Sequence, residues 1–333
     1  MKLDSILLLS ALVLILITNE LFVYLHFKNN MTEKEKYTAE FEKSLNQFVK
    51  ELKQYVSTET GEWTIKGFID VYKNIYTISS DTKIVSKILE IHIFPEILRF
   101  AEKSGYKIIL AEHQNWYPDL TFVNIKNDNI KFALDLKTTF RRNHTSAGFT
   151  LGSHGGYFKE RDKEKNIQFP YNKYTGHYCL GVIYTRSDFD DDLSDTEIFQ
   201  VKDMEESYGD TVDPIGERKV TQIKNLKSIT SVIKDFDFFA SPKWKIASDS
   251  QGSGNTANIG SIKDIDDLKN GNGVFSQLGE EWFDEYWVNY GTATMIKDGN
   301  SIKISSIWEF LEFKGREDLF DKVIAKGAKR KKK

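Results

Sequence analysis

Two short acidic signatures on consecutive apolar runs constrain this chain most. Tyr117-Pro118-Asp119 opens the run LTFVNI (120–125), and Ala133-Leu134-Asp135-Leu136-Lys137 closes the run KFALDL (131–136). Runs of this length and apolar content predict neighbouring strands. Alternate side chains of a strand share a face, so Asp135 and Lys137 point the same way. Leu136 then faces the core and leaves its carbonyl available. A fold that sets Asp119 beside Asp135 brings two carboxylates together, and that arrangement calls for a cation. The plainer alternative is a Pro-Asp turn and an exposed strand end.

The chemistry that needs these residue types is hydrolysis of a nucleic-acid phosphodiester. Such a diester is anionic and repels hydroxide; Mg²⁺ offsets the charge, acidifies a bound water and steadies the leaving oxygen. Mg²⁺ is hard, prefers oxygen and keeps several waters, so one or two carboxylates suffice. Asp119 and Asp135 are the candidate ligands, with the Leu136 carbonyl beside them. Lys137 is placed to orient or deprotonate the attacking water and to offset charge on the phosphorane.

Three further segments bear on this. SSDTKIVSKILE (79–90) begins a helix that Ser80 or Asp81 can cap and that runs toward Gly105, with Pro95 predicted to kink it. Glu90 falls on the apolar face of Ile93, Phe94 and Ile97. It reads either as a third acidic ligand or as the partner of Lys83 or Lys87. Gln114 and Asn115, just before Tyr117, are either contacts to nucleic acid or turn residues. The stretch from Gln251 to Ser261 is rich in Gly, Ser, Asn and Thr. It is either a flexible loop or a surface that reads bases, since Asn pairs with adenine and Thr or Ala touches a thymine methyl.

Taken with AEKSGY (101–106), HQNWYPD (113–119), FTLG (149–152), EKNI (164–167), VIYTR (182–186) and GSGNTANIGSI (252–262), these segments resemble the type II restriction endonucleases of the PD-(D/E)xK nuclease superfamily. The resemblance runs from residue 41 to about 290. It implies an α/β restriction-endonuclease-like core, with a mixed central sheet flanked by helices. It implies double-stranded DNA as substrate, cut at GATATC to blunt ends, with Mg²⁺ as cofactor and Mn²⁺ able to substitute. A homodimer and a cognate DNA methyltransferase as system partner are also implied. Asp119, Asp135 and Lys137 match the catalytic positions, and Glu90 matches a further acidic residue near the metal. Gln114 and Asn115 match a loop that follows the minor groove. Gly252, Ser253, Gly254, Asn255, Thr256, Ala257 and Asn258 match a major-groove recognition loop; Lys83 and Lys165 match basic positions near DNA. The chain departs at Ala257, where the family carries a second threonine. It also departs in the segment 155–162, in an acidic insertion at 188–213 and in the basic tail Lys329–Lys333.

Composition sets limits. A net charge of −3 argues against a general nucleic-acid coat but not against a cleft enzyme, where placement outweighs the sum. Arg141, Arg142, Lys159, Arg161, Lys163 and Lys165 either line such a cleft or form a solvated loop. The single cysteine, Cys179, excludes an internal disulfide, suits a reducing compartment and lies in an apolar strand.

The map that follows has an apolar leader over 1–30 and a charged helical segment over 31–60. An endonuclease domain covers 61–300, with its catalytic core at 61–186 and its recognition loop at 251–261. A helical and basic tail covers 301–333. The leader forms an N-terminal apolar helix whose residues 5–27 are about long enough to cross a bilayer. The alternatives are initiation at Met31 or packing onto the protein, so the expected location is cytoplasmic, with or without an N-terminal anchor. Two other classes stay open: a structure-specific repair or junction nuclease, and an inactive membrane-anchored DNA-binding protein.

Overall fold

The computed structural model describes residues 31–330 apart from 72–73, 114, 188–197, 201–209, 213–218, 222–228, 230, 253–256 and 298. The apolar leader and the aspartates of the acidic insertion, Asp188, Asp190, Asp191 and Asp192, lie outside the described residues. Among the described residues no helix is long and apolar enough to cross a membrane. The boundary between two compact units, Met1–Ser44 and Leu45–Lys333, falls inside helix α1 (Glu33–Val56). Everything below belongs to the second unit.

A short antiparallel pair, β1 (Gly67–Ile69) and β2 (Asn74–Thr77), precedes helix α2 (Thr82–Ser104). Asp81 caps α2 by accepting from the Lys83 and Ile84 N–H groups at 2.9 and 3.1 Å. Gly105 closes it in the left-handed conformation, which a glycine adopts without steric cost. The helix is continuous through Pro95. Val85, Leu89, Ile93 and Ile97 form its buried stripe. Glu90 sits beside that stripe rather than within it, with its side chain 43% exposed.

The central sheet follows. Strands β3 (Tyr106–Leu110), β4 (Leu120–Asn124) and β5 (Lys131–Arg142) are antiparallel neighbours. Beyond a two-residue β6 (Thr145–Ser146) and β7 (Thr150–Ser153), strand β8 (Gly176–Arg186) runs parallel to β5. Further on come β9 (Ile198–Gln200), which pairs with β2, and the ribbon β10 (Asp210–Val212) and β11 (Lys219–Thr221). Strand β12 (Ile233–Pro242) pairs antiparallel with β8, so the sheet order is β12-β8-β5-β4-β3. This is the mixed sheet that the sequence predicted. Its centre is legible because β8 is buried along most of its length, as a strand covered on both faces should be. Cys179 is part of that core, 1% exposed.

A second sheet carries the glycine-rich stretch. Strands β13 (Ala247–Gln251) and β14 (Asn258–Ser261) pair antiparallel, and β7 joins the far edge of β14. Gly252 and Gly260 meet at the base: a Cβ on Gly252 would lie 3.1 Å from the Gly260 Cα and 2.7 Å from Thr150 Cγ2. Here the glycines permit a close backbone approach that no side chain allows.

The short helices α3 (Gly156–Lys159), α4 (Ile265–Asn270), α5 (Glu280–Asn289) and α6 (Ile307–Phe313) share one apolar cluster with this sheet. Residues 301–303 belong to a hairpin, β15 (Thr294–Lys297) with β16 (Asn300–Lys303), so the helical part of the tail starts at Ile307. Ser306 and Glu309 form a capping box there. Asp249, wholly buried, accepts from the Ile307 N–H at 3.1 Å and the Lys329 N–H at 2.9 Å. It thereby ties the tail to β13.

Candidate active site

Tyr117 and Asp119 are positioned by pairing on two sides. The Tyr117 N–H donates to the Asn166 carbonyl at 3.1 Å, and the Gln168 N–H donates back to Tyr117 at 2.8 Å. The Tyr117–Pro118 peptide is cis. Two residues after Pro118, β4 enters its register with β5, Leu120 opposite Leu134. The next step of that ladder brings Asp119 to Asp135. The Asp119 N–H donates to Asp135 Oδ1 at 3.3 Å, and Asp119 Oδ2 accepts from the Leu136 N–H at 2.8 Å. Lys137 Nζ reaches Asp135 Oδ2 at 2.8 Å. The three residues named from the sequence therefore form one constellation.

Its electrostatics follow from that closeness. Burial, and then the charge of Asp135, lift the Asp119 carboxyl to about 6, against the pull of Lys137 and the Leu136 N–H. Burial alone would lower the Lys137 ammonium, but Asp135 and Asp119 outweigh it and hold the group above its ordinary value. Lys137 is thus a firmly charged donor in the resting site. Two crowded carboxylates form an all-oxygen donor set with a deficit of positive charge, and a hard divalent cation fits it. Among the described residues no group of three or more His, Cys, Asp and Glu is arranged to hold a metal.

Glu90 stands apart from the pair. Its carboxylate accepts from Lys87 Nζ at 2.9 Å, the ion pair that the sequence offered as one alternative. It also adds the smallest of the influences raising Asp119, so it faces the site without joining it. Leu136 is half-buried and lines a cleft, not the core, because β5 leaves the sheet interior there.

Two clefts meet at Lys137. One, of about 620 Å³, holds Asn115, Asp119, Asp135, Lys165 and Asn258. The other, of about 1210 Å³, holds Lys83, Leu136, Gln251 and Gly252. Lys137 lines both. Ala257 is exposed immediately before β14. Gln114, Ser253, Gly254, Asn255 and Thr256 lie outside the described residues. Of the basic cluster, Arg141 is committed to Asp237 at 2.7 Å and Arg161 to Asp284 at 2.6 Å. Both join elements, and neither lines either of these two clefts.

One group near the site gave no signal in the sequence. Lys243 is 3% exposed. Its Nζ lies 5.0 Å from the Tyr117 ring, 5.4 Å from Phe158 and 5.6 Å from Tyr171. It has no hydrogen-bond partner among the described residues. Burial brings its ammonium down to about 8, with Asp135 the first charge opposing that fall. The aromatic floor around it includes Tyr171 stacked on His177 at 3.8 Å and the Tyr117 hydroxyl 3.0 Å from His177 Nδ1. Lysines are seldom buried, and these rings are scattered along the chain, so only the fold brings them together.

The comparison with known proteins agrees with this geometry. The family described as "Restriction endonuclease EcoRV" matches residues 59–213 and 208–315. The type II restriction enzyme EcoRV of Escherichia coli is 32% identical over 261 residues, covering 78% of this chain and 95% of that enzyme. The match spans the acid pair, the lysine and the glycine-rich hairpin alike, and it leaves no large part of the relative unaccounted for. On that basis this chain belongs to the EcoRV family of restriction endonucleases, hydrolases that cleave DNA.

Proposed function

We propose that this chain is a Mg²⁺-dependent, site-specific endonuclease that cuts double-stranded DNA at GATATC to blunt ends. It acts as a homodimer, because a palindromic site mirrors two-fold symmetry. Its system partner is a methyltransferase that protects the same sequence. The observation that carries this reading is the Asp119–Asp135–Lys137 constellation at the junction of two clefts, one of which leads to the glycine-rich hairpin.

Asp119 and Asp135 would hold the cation, with the Leu136 carbonyl as a further oxygen. Bound Mg²⁺ supplies charge neutralisation at the diester and a more acidic water, and Mn²⁺ can take its place. The protein's own residues do the rest. The Leu136 N–H and the Asp119 N–H fix both carboxylates, so little reorganisation remains when substrate arrives. Lys137, held charged, orients the attacking water and offsets the charge that grows on the phosphorane. In-line attack leaves 5′-phosphate and 3′-hydroxyl ends. Asn115, Lys83 and Lys165 stand on the cleft walls, where they can position the backbone. The segment from Gly252 to Asn258 reads the major groove. A central TA step suits this chemistry, since such steps bend at low cost.

The test is to incubate the full chain with plasmid DNA and Mg²⁺ and sequence the ends. Blunt ends at GATATC are expected. Discrete ends elsewhere would retain the nuclease and move the specificity to Ala257 and its neighbours. Cuts without sequence preference would favour a structure-specific nuclease.

A further inference from the structure

His154 follows β7 and is 6% exposed. It touches both arms of the glycine-rich hairpin. Its Nε2 lies 2.8 Å from Gln251 Nε2, at the end of β13. Its backbone N–H donates to the Ala257 carbonyl at 2.8 Å, just before β14. Between these two bonds the arms are joined to each other by the Gly252 N–H, which donates to the Asn258 carbonyl at 3.0 Å. The ring is seated against Trp287 at 5.1 Å and Tyr290 at 5.3 Å, on and just beyond α5. One residue thus links α5 to the two ends of the hairpin, its ring to Gln251 and its backbone N–H to Ala257, and Asn258 shares the smaller cleft with Asp119 and Asp135.

We infer that His154 is a positioning residue for sequence discrimination: its imidazole Nε2 accepts from the Gln251 amide on one arm while its own backbone N–H holds the other, and the two together fix the spacing of the hairpin arms. This rests on the reading that residues 252–258 contact DNA bases. The chemistry is consistent with a neutral acceptor. Burial, followed by the charge of Lys159, keeps the imidazole below its ordinary range. The other groups facing the pocket are the Tyr290 phenol and, 5.4 Å from the centre of that ring, Lys329. Neither forms a hydrogen bond to the imidazole among the described residues. This part-buried hydrogen bond matters because its loss releases the exposed Gln251 side chain from the buried imidazole. The arms are then held only by backbone bonds, and the base contacts proposed for this segment lose register.

Two variants of the full chain separate acceptor from packing. His154→Phe keeps the ring between Trp287 and Tyr290 but has no acceptor. His154→Gln gives up the ring and keeps an acceptor at similar reach. The first readout is the ratio of cleavage rates at the preferred site and at sites differing from it by one base pair. The second, without DNA, is hydrogen exchange at the backbone amides of positions 154 and 252. His154→Phe is expected to lower the discrimination ratio by about fivefold or more and to speed exchange at both amides by a similar factor. His154→Gln should restore both to within about twofold of the parent. Unchanged discrimination and exchange in His154→Phe would overturn the inference. So would a His154→Gln variant as impaired as His154→Phe, which would assign the role to ring packing. If the parent chain cuts at no preferred site, the DNA-reading role on which the inference rests falls. Exchange would still report separately whether the imidazole holds the arms.

Discussion

The backbone N–H of Asp119 donates to the carboxylate of Asp135 across 3.3 Å, so the two acids are joined by the ladder that carries them. Neither can be moved without disturbing the other. Removing the Asp135 carboxylate deprives a cation of one ligand and Lys137 of its partner at 2.8 Å. Asp135→Ala is expected to lower cleavage by at least about a thousandfold while leaving DNA binding within a few-fold, as loss of a transition-state contact should. Single-turnover cleavage beside a gel-shift titration in EDTA measures both. Cleavage retained in the variant would sink the site.

Burial, and then the closeness of Asp135, makes the metal-free site costly. Folded Asp119 keeps its proton up to about 6, whereas its ordinary value is 3.8. Between those limits the folded state binds more protons than the unfolded one. Its contribution to stability therefore falls as pH rises through that window and stays low above it. Asp119→Asn, which carries no charge, should gain on the parent protein by about 1–2 kcal/mol between pH 4 and pH 7 in EDTA. Divalent cation should stabilise the parent and not the variant. Urea titrations at a series of pH values decide this, and a stability difference flat with pH would contradict it.

What was legible in the sequence, and what was not, divides along physical lines. Asp119, Asp135 and Lys137 could be read because period-two alternation and one antiparallel register step put them on one face. Asp81 and Gly105 were visible as the ends of α2 because caps have local chemistry. The side chain of Glu90 was misplaced onto a buried face: spacing alone does not tell the centre of a helical stripe from its edge. Leu136 was assigned to the core for the same reason, from alternation that takes no account of where β5 emerges. Lys243 was hidden because a turn at Lys243–Ile246 and an aromatic floor drawn from distant segments decide its burial. Tertiary context of that kind leaves no periodic trace.

Lys243 offers a second test of the electrostatics. Its ammonium is brought down to about 8 by burial. Between that value and the ordinary 10.5 the unfolded state binds more protons, so stability rises with pH across this window. The burial cost is present in full below pH 8. Lys243→Met fills similar volume without charge. It should stabilise the protein by about 1–3 kcal/mol at pH 7, and by less as pH approaches 10. Because the positive charge near Asp135 is lost, cleavage should slow by roughly tenfold. Chemical denaturation at pH 7 and pH 10 tests the first claim. A variant less stable at pH 7 than the parent would show that the three aromatic faces more than offset the burial.

Glu90 and Lys87 permit the sharpest discrimination between ligand and bystander. Their ion pair at 2.9 Å joins side chains 43% and 58% exposed, so solvent screens it and it contributes little to stability. Toward Asp119, Glu90 exerts only the weakest of the forces that act on that carboxyl. A residue placed in this way is expected to tune the field rather than to hold the cation. Glu90→Gln is therefore expected to slow cleavage by about tenfold, far less than Asp135→Ala, and to leave the Mg²⁺ concentration for half-maximal rate within about threefold. Lys87→Ala should change either quantity by less still. Magnesium titrations of the cleavage rate separate the cases. If Glu90→Gln is as inactive as Asp135→Ala, α2 must supply a direct ligand when DNA is bound, and Glu90 must exchange Lys87 for the cation.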